Sequence, residues 1–362
     1  MSELKRTILY QAHLDAGATM VDFGGWDMPI QYPEGIIAEH LYCRRHCGIF
    51  DVSHMGRIDV EGPDQVAFLQ HVLSSNVLAL DLNQAQYCII PDANGYAIDD
   101  AYLYRFEEGK YFLVINAGNI DKDWAHLMNE AKNFDVKLTN VSDKYAAIAV
   151  QGPESKKILM TLSGGRQLTP ENVKNALNSL TMEGKPVRIA KTGYTGEPIG
   201  YELYCNSEDA RYFWDRLIEL GAKPTALGAR DTTRMEAALP LYGHEMGECE
   251  MGGEIQIYAV PLAKFAVSFD EVKGDFIGRE PLKKQFEALK KIMNRDYSSI
   301  EDLPYRIQPI YLEGKGVLRK GFPIYCKDAW AEGKQIGYVT SGTMIPYYKT
   351  EGQGLESVFT DE

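Results

Sequence analysis

A chain of 362 residues exceeds the usual length of one domain, so two or three packed units are expected and a single small module is excluded. Hydrophobic residues at 45% and charged residues at 25% supply a substantial core and oppose extended disorder. With 38 Lys+Arg against 51 Asp+Glu, the net charge of −13 opposes broad, salt-driven binding to nucleic acid or anionic lipid. The opening residues, Met1-Ser-Glu-Leu-Lys-Arg6, mix charges and lead into no apolar run, so no signal or transit peptide is expected. No 18-residue apolar stretch suggests a membrane span. Six scattered cysteines (43, 47, 88, 205, 249, 326) fit reduced thiols, and a cytoplasmic location is expected.

Helix-period segments alternate with strand-like runs, which predicts a mixed α and β fold. Residues 34–47 place Ile37 and Leu41 one turn apart on a cover helix. Within it, Cys43-Arg-Arg-His46-Cys47 offers soft ligand atoms, but no second pair stands at metal-site spacing, so no metal is expected. The adjacent Ser53-His54 reads as a turn after Phe50. Asn94-Gly-Tyr-Ala-Ile-Asp99-Asp100 is a turn entering a strand, where the two carboxylates would face opposite sides. One of them could then enter a pocket for acid/base or cation-stabilising work while the other stays solvated; a wholly solvated turn is the plainer reading.

A strand is predicted over 111–115, and a helix over 119–131 with Ile120, Trp124, Leu127, Met128 and Ala131 as its apolar face. Further strands are predicted over 145–150 and 186–190. Thr192-Gly-Tyr-Thr-Gly-Glu197 is a glycine-punctuated turn, after which Tyr201-Glu202-Leu203-Tyr204 resumes an alternating strand. An inward Glu202 needs a partner, either a ligand's amidine-like edge or an arginine of the protein. Residues 207–220 predict a helix capped by Ser207. Arg230 and Arg234 stand one helical turn apart, suited to a ligand carboxylate or to internal pairing with Asp231 and Glu236. After residue 255, short strands and turns at Gly314, Gly316, Gly321 and Gly333 predict a small β-barrel or sandwich, interrupted by a helix and polar loop over 284–306. The common nucleotide-loop, zincin and serine-hydrolase motifs are missing.

Taken together, these segments resemble the aminomethyltransferase, or T-protein, family of the glycine cleavage system and its folate-dependent relatives. The likeness is carried by Met20-Val-Asp-Phe-Gly-Gly-Trp-Asp-Met-Pro29, Gly48-Ile-Phe-Asp-Val-Ser-His-Met-Gly56, Ile98-Asp-Asp100, Asn116-Ala-Gly-Asn119 and Gln151-Gly-Pro153. It continues through Thr192 to Glu197, Leu227-Gly-Ala-Arg-Asp231, Leu241-Tyr-Gly-His-Glu245, Gly274-Asp-Phe-Ile-Gly-Arg-Glu280 and Val339-Thr-Ser-Gly342, in the family's order over almost the whole chain. The resemblance implies an α+β, three-lobed fold: two interleaved α/β lobes around a folate channel within 1–245, with 53–146 forming much of one lobe, and a C-terminal β-barrel over 255–362. It implies tetrahydrofolate as cofactor and a lipoylated H-protein as partner, the aminomethyl carbon passing to folate as ammonia leaves, with 5,10-methylenetetrahydrofolate as the product. In it, Asp100 is the catalytic carboxylate and Glu202 accepts hydrogen bonds from the pterin edge. Met55, Tyr87, Asn116 and Tyr194 line the pterin and aminobenzoyl parts, and Arg230 lies near the folate tail.

Four departures from the family pattern accompany the likeness. Tyr96 stands where the family has a second glycine, adding bulk by the expected reaction centre. The aromatic residues expected before the Thr192 turn are missing from 172–182, and 246–262 diverges after His244-Glu245. The chain stops at Glu362 before the family's closing strands and late arginine, so a truncated barrel with an open edge is expected. Two other functions stand beside the transferase: a tetrahydrofolate-dependent demethylase of a small N-, O- or S-methyl donor, and a non-catalytic folate-binding regulator or RNA-modification accessory protein.

Overall fold

The computed structural model describes residues 3–328 and 332–346, together with the backbone of the short strands Tyr348–Thr350 and Ser357–Phe359. Period-two alternation builds its two main sheets. The first is antiparallel, in the spatial order Gln84–Pro91, Ala97–Glu107, Lys110–Ile115, Gly56–Glu61, Lys137–Asn140. The second runs Leu177–Met182, Lys185–Ala190, Gly200–Asn206, Tyr145–Gln151, Gly48–Asp51, Lys223–Pro224, with only the last pair parallel. The chain therefore leaves the second sheet after Asp51, completes the first, and re-enters the second at Tyr145.

Each sheet has an outer face under helices and an inner face turned to the other sheet. In Ala97–Glu107, Ala101 and Leu103 pack beneath the helices Gln65–Val72 and Ile120–Glu130, while Tyr104 and Phe106 point inward. In Gly200–Asn206, Tyr201, Leu203 and Cys205 pack beneath Ser155–Leu162 and Ala210–Glu219, and Tyr204 points inward. Val114, Ala147, Ala149 and Ala190 close the space between the sheets with an aromatic cluster. Tyr104 and Tyr204 meet edge to face at 5.7 Å, and Phe112 and Tyr204 at 5.3 Å. Such pairs contribute about 0.5–1.5 kcal/mol each beyond area burial.

The first predicted helix forms over Ile36–Arg45, with the opposite face buried. Ile37 is 46% exposed, whereas Glu39, His40, Cys43 and Arg44 are buried. The reason is its partner, the helix Leu227–Glu236, which offers polar atoms. Arg44 donates to Glu197 at 2.5 Å, to Glu236 at 2.6 Å and to the Thr233 carbonyl at 3.0 Å; His40 meets Thr232 and Glu236. Glu39 accepts from the N–H groups of Tyr32 and Ala226. Gly228 lets the helices close, since a Cβ there would sit 2.5 Å from Ile36 Cδ1. Removing one member of a buried ion network leaves the others unpaired. Arg44→Met is therefore expected to lower stability by about 3–5 kcal/mol, read as a fall in the denaturant midpoint. Cys43 and Cys47 are buried in two different apolar clusters, Cys47 beyond the helix end.

Two other helices differ in detail from their sequence patterns. Ile120–Glu130 exposes Met128 and buries Asp123 with Leu127. Ala210–Glu219 follows a 3-10 turn at Ser207–Asp209, so Ser207 is not its cap; the Ser207 hydroxyl donates to the Asp143 carbonyl instead.

Beyond residue 245, the chain packs against the first sheet at Ile89 and Ala97. Met246, Ile257, Tyr258, Phe276, Leu282 and Ala288 share a cluster with Ile89 and Ala97. The longer helix of this region spans Arg279–Met293, and Ile300–Asp302 forms a 3-10 turn. The strands that follow are two-stranded ribbons, Pro323–Tyr325 with Gln335–Tyr338 and Tyr348–Thr350 with Ser357–Phe359; no closed barrel is formed among the described residues. The expected open edge at Glu362 lies outside those residues. Among the described residues, no helix is long and apolar enough to cross a membrane.

Candidate active site

The inward faces of the two sheets carry the candidate site. Asp100 shares the inward parity of Tyr102 and Tyr104, and Glu202 that of Tyr204, so the folded sheets present one carboxylate each to the common space. Asp100 is 8% exposed. Its Oδ2 accepts from the Tyr87 hydroxyl at 2.9 Å, and its Oδ1 from Asn116 Nδ2 at 2.7 Å. Burial, reinforced by the neighbouring Asp99, pushes its carboxyl up to about 7 despite those donors. Tyr87 itself is held well above its ordinary value by burial and by the Asp100 charge.

Asp99 does not stay in solvent, as the turn chemistry suggested. It has no exposed surface and accepts from Asn116 N at 3.0 Å, Asn116 Nδ2 at 2.8 Å and Asn119 Nδ2 at 2.7 Å. The segment 116–119 at the start of the Ile120–Glu130 helix folds over the strand and supplies these donors.

Glu202 meets hydroxyls rather than an arginine. Its Oε2 accepts from Thr192 at 2.5 Å, Tyr104 at 2.8 Å and Tyr204 at 3.4 Å, while Oε1 carries no hydrogen bond among the described residues. Burial and the Glu202 charge both raise Tyr104 and Tyr204, which keeps them as neutral donors. Gln151 fixes the turn between: its Nε2 donates to the carbonyls of Thr192 and Tyr201, and its Oε1 accepts from the Thr195 hydroxyl at 2.7 Å. Gly193 and Gly200 make that possible, because a Cβ at either would lie within 2.4 Å of the Gln151 amide.

The remaining expected residues gather at the same space. Met55 packs on the aromatic cluster beside Tyr102, whose ring lies 5.9 Å from that of Tyr87. The Tyr194 hydroxyl and Arg230 Nη1 are buried without a partner among the described residues. Both respond to the site's charges, Tyr194 to Asp100 and Arg230 to Glu202, after burial itself. Arg234, by contrast, is fully engaged with Asp231, Glu245, the Leu239 carbonyl and Ser341. A free carboxylate oxygen, a phenol and a guanidinium N–H without partners form an acceptor-and-donor set for a flat heterocycle bearing N–H groups and an anionic tail. This set fits tetrahydrofolate.

A cavity of about 450 Å³ borders the Glu202 end, lined by Tyr102, Lys174, Asn175, Lys191 and Thr192 among others. Asn172 to Asn175 thus wall the place where the aromatic residues are missing. Tyr96 pairs with Gln256 of the divergent 246–262 segment through an isolated bridge. Sequence reasoning missed Tyr102 and Tyr104, gave Thr192 no role beyond its turn, and did not foresee that Asp99 would be buried beside Asp100. The period-two aromatic run Tyr102, Tyr104, Phe106 beyond Asp100 was the available signal for the first two.

A family model described as the GCVT N-terminal domain matches residues 9–258. An aminomethyltransferase of Deinococcus deserti is 40% identical over 348 residues, spanning 95% of this chain and 86% of that protein. One of Thermus thermophilus is 39% identical over 359 residues, spanning 99% and 92%. The crystal structure of glycine cleavage system aminomethyltransferase T from Bartonella henselae matches with a TM-score of 0.75 at 29% identity, over 93% of this chain and 85% of that one.

Proposed function

Because the chain belongs to the aminomethyltransferase family, we propose that it is the T-protein of a glycine cleavage system, with Asp100 as its catalytic carboxylate. The observation that carries this reading is the pair Asp100 and Glu202 on facing sheets, each held by neutral donors, together with the buried Tyr194 hydroxyl and Arg230 Nη1, which have no partner among the described residues. When bound, tetrahydrofolate supplies the nitrogen that accepts the aminomethyl carbon. The donor is the S-aminomethyl group of a lipoylated H-protein, which gives up ammonia and leaves a free dihydrolipoyl thiol, so that 5,10-methylenetetrahydrofolate forms without any change of redox state.

Each residue has the task that the resemblance implies, and its surroundings support it. The free oxygen of Glu202 accepts from the pterin amino and ring N–H groups, a complementary edge that fixes the ring plane. Arg230 faces the anionic tail, while Met55, Tyr87, Asn116 and Tyr194 line the ring and its linker. Tyr87 and Asn116 orient the Asp100 carboxylate, which stabilises the positive charge developing as ammonia leaves. The low-dielectric aromatic walls strengthen that interaction and keep water out. The domain division follows the resemblance, with the folate site in residues 1–245 and a C-terminal unit over 255–362, whose described strands form two ribbons and no closed barrel. A cytoplasmic site is supported by the six unpaired cysteines.

Since the Asp100 carboxyl is pushed up to about 7, its anion is scarce at pH 6 and dominant at pH 8. Turnover is expected to rise as pH passes through about 7, and this limb is expected to vanish in Asp100→Asn. The function itself is tested by incubating the protein with tetrahydrofolate and aminomethylated H-protein and measuring methylenetetrahydrofolate and ammonia. Product that requires the carrier supports the reading; folate product formed only from small methyl donors would move the protein to the demethylases.

A further inference from the structure

The helix Ile120–Glu130 buries one acidic side chain beneath the site. Asp123 has no exposed surface, and neither of its carboxyl oxygens has a donor among the described residues. Asp99, equally enclosed, is the group that acts on it most strongly after burial, and two acceptor-only carboxylates can bond each other only through a proton. The other charged groups acting on Asp123 are Lys122, which is exposed and bonds the Tyr242 hydroxyl, and Asp100. Asp99 accepts three N–H groups from Asn116 and Asn119, and Asp123 accepts none among the described residues. Burial and the Asp99 charge push the Asp123 carboxyl up to about 10.

We propose that Asp123 is a positioning residue for Asp100, a neutral carboxylic acid whose O–H donates to Asp99 and thereby fixes the Asn116 amide; this rests on the reading of Asp100 as the reacting-site carboxylate. The relay is continuous. Asp99 holds Asn116 through its backbone N–H and one side-chain hydrogen, and Asn116 Nδ2 also donates to Asp100 Oδ1 at 2.7 Å. With Nδ2 bonded on both sides, the amide cannot turn its oxygen toward Asp100. The Asp123 proton keeps Asp99 from acting as a bare second anion beside the reacting carboxylate.

Two variants of the full chain separate this role from simple packing. Asp123→Asn retains a donor to Asp99, and Asp123→Leu fills the space without one. The infrared difference between wild type and Asp123→Asn at pH 8, without folate, is expected to show a protonated-carboxyl band in the wild type alone. Asp123→Asn is expected to turn over near the wild-type rate. Asp123→Leu is expected to lose about 10- to 100-fold in kcat, as outer-sphere partners of reacting groups do, with KM for tetrahydrofolate little changed. Its pH limb is expected to move to higher pH, because an uncompensated Asp99 charge opposes ionisation of Asp100. A missing wild-type band, or an Asp123→Asn variant as impaired as Asp123→Leu, overturns the proposal. Should Asp123→Leu fail to fold, the infrared spectrum and the rate of Asp123→Asn still decide it. Product formation without the band overturns this proposal alone, whereas the band without any product overturns the transferase reading and with it the role of Asp123.

Discussion

Asp100→Asn is expected to lower carrier-dependent formation of methylenetetrahydrofolate by about 10³-fold or more, while tetrahydrofolate binding stays within a few-fold of wild type. The substitution keeps the volume and one oxygen acceptor for Tyr87 or Asn116, and removes the charge those two groups orient. A charge fixed in an enclosed site acts on the transition state without reorganising, which is why its loss falls on kcat rather than on binding. Stopped-flow or steady-state assays at saturating folate, paired with calorimetric titration of folate alone, separate the two quantities. Equal losses in binding and turnover would place Asp100 in ligand recognition and would sink its catalytic assignment.

Glu202→Ala is expected to do the reverse. It removes an acceptor already charged and already oriented by Thr192, Tyr104 and Tyr204. A hydrogen bond to a charged group contributes about 1.5–3 kcal/mol, which converts to about 10- to 150-fold in the folate dissociation constant. The two tyrosine hydroxyls can still bond each other at 3.1 Å, so the aromatic wall between the sheets is expected to persist. Glu202→Gln sharpens the test, because it retains shape and offers the pterin edge one acceptor and a misplaced N–H donor. Unchanged folate affinity in both variants would remove Glu202 from the binding site, and a normal near-ultraviolet circular dichroism spectrum would show that the fold had not been lost instead.

The acid–base behaviour of the site follows from one sheet strand. Asp99 and Asp100 are neighbours on opposite faces, yet both are removed from solvent, and the Asp100 anion forms only against burial and the Asp99 charge. The donors from Asn116 and Tyr87 work in the opposite direction. The balance leaves a carboxyl that titrates near neutral pH, where a small change in its surroundings has a large effect on the fraction ionised.

Legible from the residues alone were the alternation in Ala97–Glu107 and Gly200–Asn206, the glycine-permitted turn before Glu202, and the ordered motifs that mark the family. Those features are local: a strand's two faces, a turn's backbone and a motif's order are set by residues close together in the chain. Tertiary structure alone decided which faces are buried. Ile37 is left exposed and Arg44 enclosed because the opposing helix Leu227–Glu236 presents Thr232, Thr233 and Glu236, far away in sequence. Likewise, Asp99 is buried rather than solvated because Asn116 and Asn119 fold over it with donors. The cost of burying a carboxylate depends on the partners waiting for it, and in this protein those partners arrive from other segments of the chain.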